Sequence, residues 1–250
     1  MYNLSAKIEA AQLGQTHLFY LGQAGFIIKS ANGKLLGIDL YLSDCVSRFD
    51  GFKRLTPIIS LDGLVFDCII ATHAHYDHFD IDSMPNLLAN GKTRLIASMK
   101  CEKEVSQLGI NPNIVNYVKP GDKMKLDEIQ LEFVYCDHGK FAPDAFGIVV
   151  GINNRLIYIA GDTGLRLDKV DDIKNGRSFY AMIAPINGTF GNLNECESAI
   201  LCEKFNPELF IPCHYGTFAE QYGNVAEFVK IMNSKQLKYY LMRLGEGIVI

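Results

Sequence analysis

Apolar residues in this chain gather into short runs separated by turn signals, and the runs alternate between strand and helix lengths. Residues 17–30 (HLFYLGQAGFIIKS) and 34–40 (KLLGIDL) flank Ala31-Asn32-Gly33, a glycine-containing turn, and predict a β-hairpin. Residues 65–71 (VFDCIIA) form the short apolar run of a buried strand. Residues 81–90 and 100–109 read as helices, with a strand over 93–98 between them. The middle is strand-rich: 129–136 (IQLEFVYC), 146–152 (FGIVVGI) and 155–160 (RLIYIA), the last two joined across Asn153-Asn154. Strand and helix then alternate, with strands over 180–186 and 208–212 and helices over 194–205 and 218–232. Two β-then-α halves, with strands too apolar to face water, predict an α/β fold of packed sheets with helices outside.

Composition narrows this picture. A 48% hydrophobic and 21% charged chain of 250 residues supplies a sizeable core and argues against disorder. With no linker, low-complexity segment or short repeat, one domain over 1–250 is expected. A net charge of −4 gives no basic field for a nucleic-acid backbone, so a small-molecule substrate is the expected partner. An anionic substrate stays open, because bound cations would reverse the local potential. Seven cysteines, an odd number without a C-x-x-C pair, suit reduced thiols in a cytoplasm. Residues 1–10 carry neither a basic nor an apolar leader region, and no stretch of about 18 apolar residues occurs, so a cytoplasmic, membrane-free protein is expected.

The chemistry concentrates after the strand at 65–71, in Thr72-His73-Ala74-His75-Tyr76-Asp77-His78. An H-x-H-x-D-H string arises by chance in a chain of this length with a probability on the order of 10⁻⁴. Imidazole and carboxylate are ligands for first-row metals, and a turn at a strand end can gather residues that an extended chain would point to opposite sides. Three further apolar runs each end near a matching donor: His138 after 129–136, Asp162 after 155–160, His214 after 208–212. Loops at one edge of a rigid sheet are where functional groups converge. Alone, His138 or His214 would read as an ordinary core or surface histidine; the motif changes that reading. The sixth histidine, His17, opens a strand and is read as structural or exposed.

These residues resemble the metallo-β-lactamase superfamily, whose metal motifs run H-x-H-x-D-H, His, Asp, His after an early strand pair. The resemblance runs from Tyr20 to about Met232 and implies a four-layer αβ/βα sandwich with a dinuclear centre. By position His73, His75 and His138 match the ligands of one ion, Asp77, His78 and His214 those of the other, and Asp162 the bridging carboxylate. Leu21-Gly22, 25–29, 37–39, Lys119-Pro120-Gly121-Asp122 and Ala160-Gly161-Asp162-Thr163 are similar to the L-ascorbate-6-phosphate lactonase branch. Ala74 departs from it, standing where that branch carries Asp. The cysteine of the commonest true β-lactamases is replaced by Asp162, and no flavin domain could be accommodated.

A pair of divalent ions lowers the pKa of bound water toward neutrality and polarises a carbonyl or phosphoryl oxygen, which implies hydrolysis by metal-bound hydroxide. A sugar-phosphate lactone is the first substrate class, a phosphodiester such as a cyclic nucleotide or RNA the second. A non-catalytic metal-binding or sensor protein is the rival of another class. Asp77 and Asp162 are the candidate catalytic carboxylates, Asp77 either orienting the nucleophile or only ligating. Asp39 is either the acceptor behind a metal-bound histidine or a turn aspartate. Asn187 and Asn192, in a loop rich in amides and glycines, and Lys140, Arg166 and Tyr215, close after ligands, are candidate substrate contacts or else turn and surface residues. Cys136 and Cys213 read as buried apolar residues, or as thiolates that would favour zinc. Nitrogen and oxygen ligands alone suit zinc, manganese or iron. The lactonase resemblance favours manganese and the superfamily at large zinc. Self-association through the last helices is left open.

Overall fold

The structure, a computed structural model, describes residues 2–250. Contacts divide the chain into two compact units, one running to Val118 with Phe218–Glu220 and Arg243–Ile250, the other made of Lys119–Thr217 and Gln221–Met242. The one-domain expectation over 1–250 extends to Met1, outside the described residues.

The first unit opens with β1 (Tyr2–Asn3) and α1 (Ser5–Ala10), followed by β2 (His17–Gly22), β3 (Gly25–Lys29) and β4 (Leu35–Ile38). Then come α2 (Cys45–Phe49), β5 (Ile59–Ser60), β6 (Cys68–Ala71), α3 (Met84–Leu88), β7 (Arg94–Ser98), α4 (Glu102–Gln107) and β8 (Val115–Val118). The run at 17–30 is therefore two strands and not one. Gly22 and Gln23 take positive φ (90° and 51°) and fold the chain back, pairing His17 with Lys29 and Gly22 with Gly25. The turn at Gly22-Gln23-Ala24-Gly25 is easily passed over, because β2 and β3 are buried on both faces and show no alternation to mark their ends. Buried Lys29 is satisfied by donating to the carbonyls of Ile8, Glu9 and Ala11, where a cation complements the end of α1.

A seventh strand, Gly247–Val249, pairs antiparallel with β2, so the sheet reads from that strand through β2, β3, β4, β6 and β7 to β8. β4, β6, β7 and β8 are mutually parallel, and two antiparallel steps make β2 parallel to β4. The carboxyl ends of β2, β4 and β6 therefore share one edge. One face of the sheet packs Phe19, Leu21, Ile27, Ile69 and Leu95 against Ile8 of α1, Met84 and Leu88 of α3 and Val105 of α4.

The second unit is a six-stranded sheet in the order β14-β13-β12-β11-β10-β9. Its strands are β9 (Lys123–Leu126), β10 (Ile129–Tyr135), β11 (Phe146–Ile152), β12 (Arg155–Ile159), β13 (Ala181–Pro185) and β14 (Leu209–Cys213). Asn153 and Asn154 both take positive φ (49° and 59°), as a two-residue hairpin turn between β11 and β12 requires. Helices α5 (Val170–Lys174), α6 (Glu195–Phe205) and α7 (Val225–Ser234) lay Val170, Ala199, Phe205, Phe228 and Met232 on Val149, Tyr158, Met182 and Phe210. The helix expected over 218–232 starts later: Ala219–Gln221 is a short 3₁₀ turn, and α7 begins after Asn224, which caps Glu227. β12, β13 and β14 are parallel and β10 runs with them, two antiparallel steps away, so four carboxyl ends share an edge here as well.

Candidate functional site

In the first unit the three ends at one sheet edge carry Gln23, Asp39 and residues 72–78. Parallel pairing sets Ile38 beside Ile70, which brings Asp39 against the residues that follow β6. Asp39 is buried and accepts from Thr72 N and Thr72 Oγ1, each at 2.8 Å, while its Oδ2 lies 2.8 Å from His78 Nδ1. Held through Nδ1, His78 turns its Nε2 toward Asp77, 3.7 Å from Oδ2. His73 Nε2 and His75 Nδ1 stand 2.8 Å apart, with His73 and His78 fully buried. Gln23 Nε2 donates to Asp77 Oδ2 at 2.8 Å, fixing that carboxylate from the neighbouring turn. Buried Asp80 holds the far side of the loop, accepting from Leu42 N, Ser43 Oγ and Ser83 Oγ. Asp50 lies close enough to Asp77 for that charge to raise its pKa, after the larger effect of burial and against the opposing pull of His75.

In the second unit His138, Asp162 and His214 each follow a carboxyl end of the sheet. His214 Nε2 lies 3.0 Å from Asp162 Oδ2, and His138 Nε2 lies 3.9 Å from the same oxygen. All three side chains are buried. Asn192 Nδ2 donates to Asp162 Oδ2 at 2.8 Å and to Asn187 Oδ1 at 3.2 Å, and Asn187 Nδ2 bonds Thr189 Oγ1 and Gln221 Oε1. The two asparagines thus form a buried amide chain that orients Asp162.

Six of the ten non-glycine residues with left-handed φ, among the described residues, are Asn or Asp, the types that tolerate it. The other four are Gln23, Phe190, His214 and Gln236, and the first three border these clusters. Each such residue costs about 1–2 kcal/mol of backbone strain, a cost that clusters at functional positions.

The remaining expected contacts are placed differently. Arg166 is committed to carboxylates: Nη1 donates to Asp137 and to Tyr135 Oη, while Nε and Nη2 clasp Asp168. Lys140 is exposed, with Nζ 5.9 Å from the Phe141 ring. Tyr215 is half-buried against the helix-side core, and burial, then the Cys213 charge, pushes its hydroxyl up to about 12. Cys136 Sγ donates to the Asp162 carbonyl at 3.0 Å, so its sulfur faces backbone; Cys213 is buried. His17 Nε2 meets the Gln12 carbonyl at 2.9 Å. Sequence reasoning missed Gln23, Asp80, Asp137 and Gln221. Gln23 alone left a trace, standing between two turn-prone glycines at 22 and 25.

The donor chemistry fits divalent metal. Imidazole nitrogens and carboxylate oxygens are gathered in each unit, His73, His75, Asp77 and His78 in the first and His138, Asp162 and His214 in the second, without a thiolate.

Comparison with known proteins gives this donor chemistry a family. A profile described as a β-lactamase superfamily domain matches residues 39–215. A UPF0173 metal-dependent hydrolase of Saccharolobus solfataricus is 30% identical over 93% of this chain and 99% of its own length. Another, from Polynucleobacter asymbioticus, is 27% identical over 98% and 89%. Among solved structures, the metallo hydrolase Igni18 of Ignicoccus hospitalis superposes with a TM-score of 0.73 at 21% identity, over 94% of this chain and 98% of that one. An isothiocyanate hydrolase from Delia radicum gut bacteria gives 0.73 at 18%, with the same coverages. The metallo-β-lactamase fold is shared with these structures, while the lactonase branch receives no specific support over the UPF0173 relatives. No helix among the described residues is long and apolar enough to cross a membrane. The chain belongs to the metallo-β-lactamase superfamily, and within it is a metal-dependent hydrolase with UPF0173 homologues.

Proposed function

We propose that the two clusters serve one dinuclear centre, the units working as a single catalytic domain. His73, His75 and His138 would hold one ion, Asp77, His78 and His214 the other, and Asp162 both. The observation that carries this reading is that each cluster is fixed from behind by a buried polar residue, Asp39 on His78 and Asn192 on Asp162, as metal ligands usually are. A surface histidine group needs no such support. The donor set favours zinc, manganese or iron. Such ions supply Lewis acidity and a water acidic enough to act as nucleophile near neutral pH.

The reaction we infer first is lactone opening. Water adds to the carbonyl carbon, the ring C–O bond breaks, and a water proton ends on the released alkoxide oxygen. Asp77, steadied by Gln23, orients the water and carries that proton. Asp162, steadied by Asn192, keeps its carboxylate toward His214. For the sugar-phosphate variety of lactone, Lys140 is the candidate partner of the phosphate, since Arg166 is engaged by Asp137 and Asp168. Phosphodiester hydrolysis is the second reading, carried by the same donor set.

The test is elemental analysis of purified protein, followed by turnover of a lactone panel and of bis(p-nitrophenyl) phosphate with each reconstituted ion. Two equivalents of metal and metal-dependent lactone turnover are expected. Full metal content without turnover of either substrate class would favour the sensor alternative. Retention of full metal in a folded His75→Ala variant would reject the ligand assignment.

A further inference from the structure

Beside the second cluster stand two exposed aromatic rings that the hydrolytic chemistry does not use. Phe141 is 48% exposed and Phe190 is 47% exposed, and their rings meet edge-on with centroids 6.1 Å apart. A lone exposed Phe is ordinary on a protein surface, but this pair is held in place. The backbone N–H groups of Phe141 and Ala142 donate to the His138 carbonyl, and the Phe141 ring lies 5.9 Å from the His138 imidazole. Phe190 is fastened on its own side, because Asn192 N donates to the Thr189 carbonyl across a turn whose central residues are Phe190 and Gly191. Both central residues have positive φ, 51° and 83°. Turns of that class favour Asn, Asp or Gly at the first central position, so a bulky ring is kept there against local preference. Asn192 in turn donates to Asp162, so each ring is one short turn from a proposed ligand or its support. Lys140 places its ammonium near the Phe141 ring, where a cation can meet the carboxylate of an opened lactone.

The first unit repeats the theme independently. Phe49, 57% exposed, lies edge-on to Tyr76 with centroids 5.1 Å apart, and Tyr76 stands between His75 and Asp77 in the motif itself.

We propose that Phe141 and Phe190 grip an aromatic group of the substrate, so that the enzyme acts on aryl-bearing lactones or esters in preference to purely polar sugar derivatives. The inference rests on the hydrolase reading above and narrows its substrate class. Edge-to-face and offset packing against two rings orients an aryl group.

The experiment compares kcat/KM for dihydrocoumarin and δ-valerolactone on metal-reconstituted wild type, Phe141→Ala, Phe190→Asn and the double variant. The aryl-to-alkyl ratio is expected to fall about tenfold for each ring removed. Phe190→Asn should melt no lower than wild type, because Asn tolerates the turn. In parallel, saturation-transfer NMR follows 3-phenylpropanoate on the same metal-loaded proteins, with signal lost in the double variant. An unchanged ratio in a folded double variant overturns the proposal, as does a change of oligomeric state without a change in ratio. If wild type opens neither lactone but binds 3-phenylpropanoate through these rings, the hydrolytic reading fails and the aromatic grip stands. If both lactones turn over with an unaltered ratio, the hydrolytic reading stands and the aromatic grip fails.

Discussion

The two donor clusters are built by contrasting means. The first comes almost whole from one stretch of seven residues after β6, braced by side chains from the adjacent ends of β2 and β4. The second takes one residue from each of three strand ends and is tied together by amides of a single loop. A contiguous loop can be recognised by spacing alone, whereas a cluster assembled across a sheet depends on strand order and register. The same contrast bears on robustness, since the first cluster has local redundancy and the second turns on one carboxylate.

The largest expected effect tests that dependence. If Asp162 serves both ions, Asp162→Ala should lose both equivalents of metal, while His75→Ala loses one; each should lower turnover on the order of 10³-fold or more. Equal metal loss in the two variants, read by elemental analysis, would remove the asymmetry. Next come the supports. Asp39→Ala and Asn192→Ala should each weaken metal affinity or turnover about 10–100-fold, measured by metal titration and kinetics. Asn192→Ala should be the more damaging, because it also disconnects Asn187.

A smaller effect concerns stability alone. Asn194 and Glu197 exchange side-chain-to-backbone hydrogen bonds at 2.9 and 3.0 Å as the capping box of α6, the helix that follows the amide loop. Asn194→Ala should cost about 1 kcal/mol in denaturant unfolding with little change in metal content. The smallest effect separates the thiols. Burial pushes Cys68 and Cys202 up to about 12, and burial with the Asp80 charge does the same for Cys45. These stay protonated at pH 8 and become nucleophilic only as pH rises toward that value, so exposed Cys196 should react first with a disulfide reagent. Rapid modification of Cys45 in folded protein would contradict its burial beneath the Asp80 loop.

The contrast also explains what could be read from the chain. Strands 146–152 and 155–160 and the helix starting at Asn194 were legible because their apolar runs were bounded by Asn-Asn and by an asparagine of the type that caps helices. The seven donors were legible because one spacing anchored four of them and apolar runs pointed to the rest. The β2–β3 turn was not, since both its strands are buried throughout. Nor were β8 and β9, whose alternating half-buried residues resemble loop, or the short helices α1 and α2. The residues that brace the donors, Gln23 and Asp80, act through contacts 54 positions apart in one case and about 38 in the other, and no local pattern encodes such partners.

The strand Gly247–Val249 is laid against β2, with Gly247 so close to Phe19 that an added Cβ would stand 2.3 Å from its ring, and Ile250 N donates to the Thr16 carbonyl. The opening sheet is thereby closed by residues that lie more than two hundred positions after β2 in the chain. During synthesis β2 must wait as an exposed apolar edge until more than two hundred further residues have been added, a period in which a nascent chain is open to aggregation or chaperone capture.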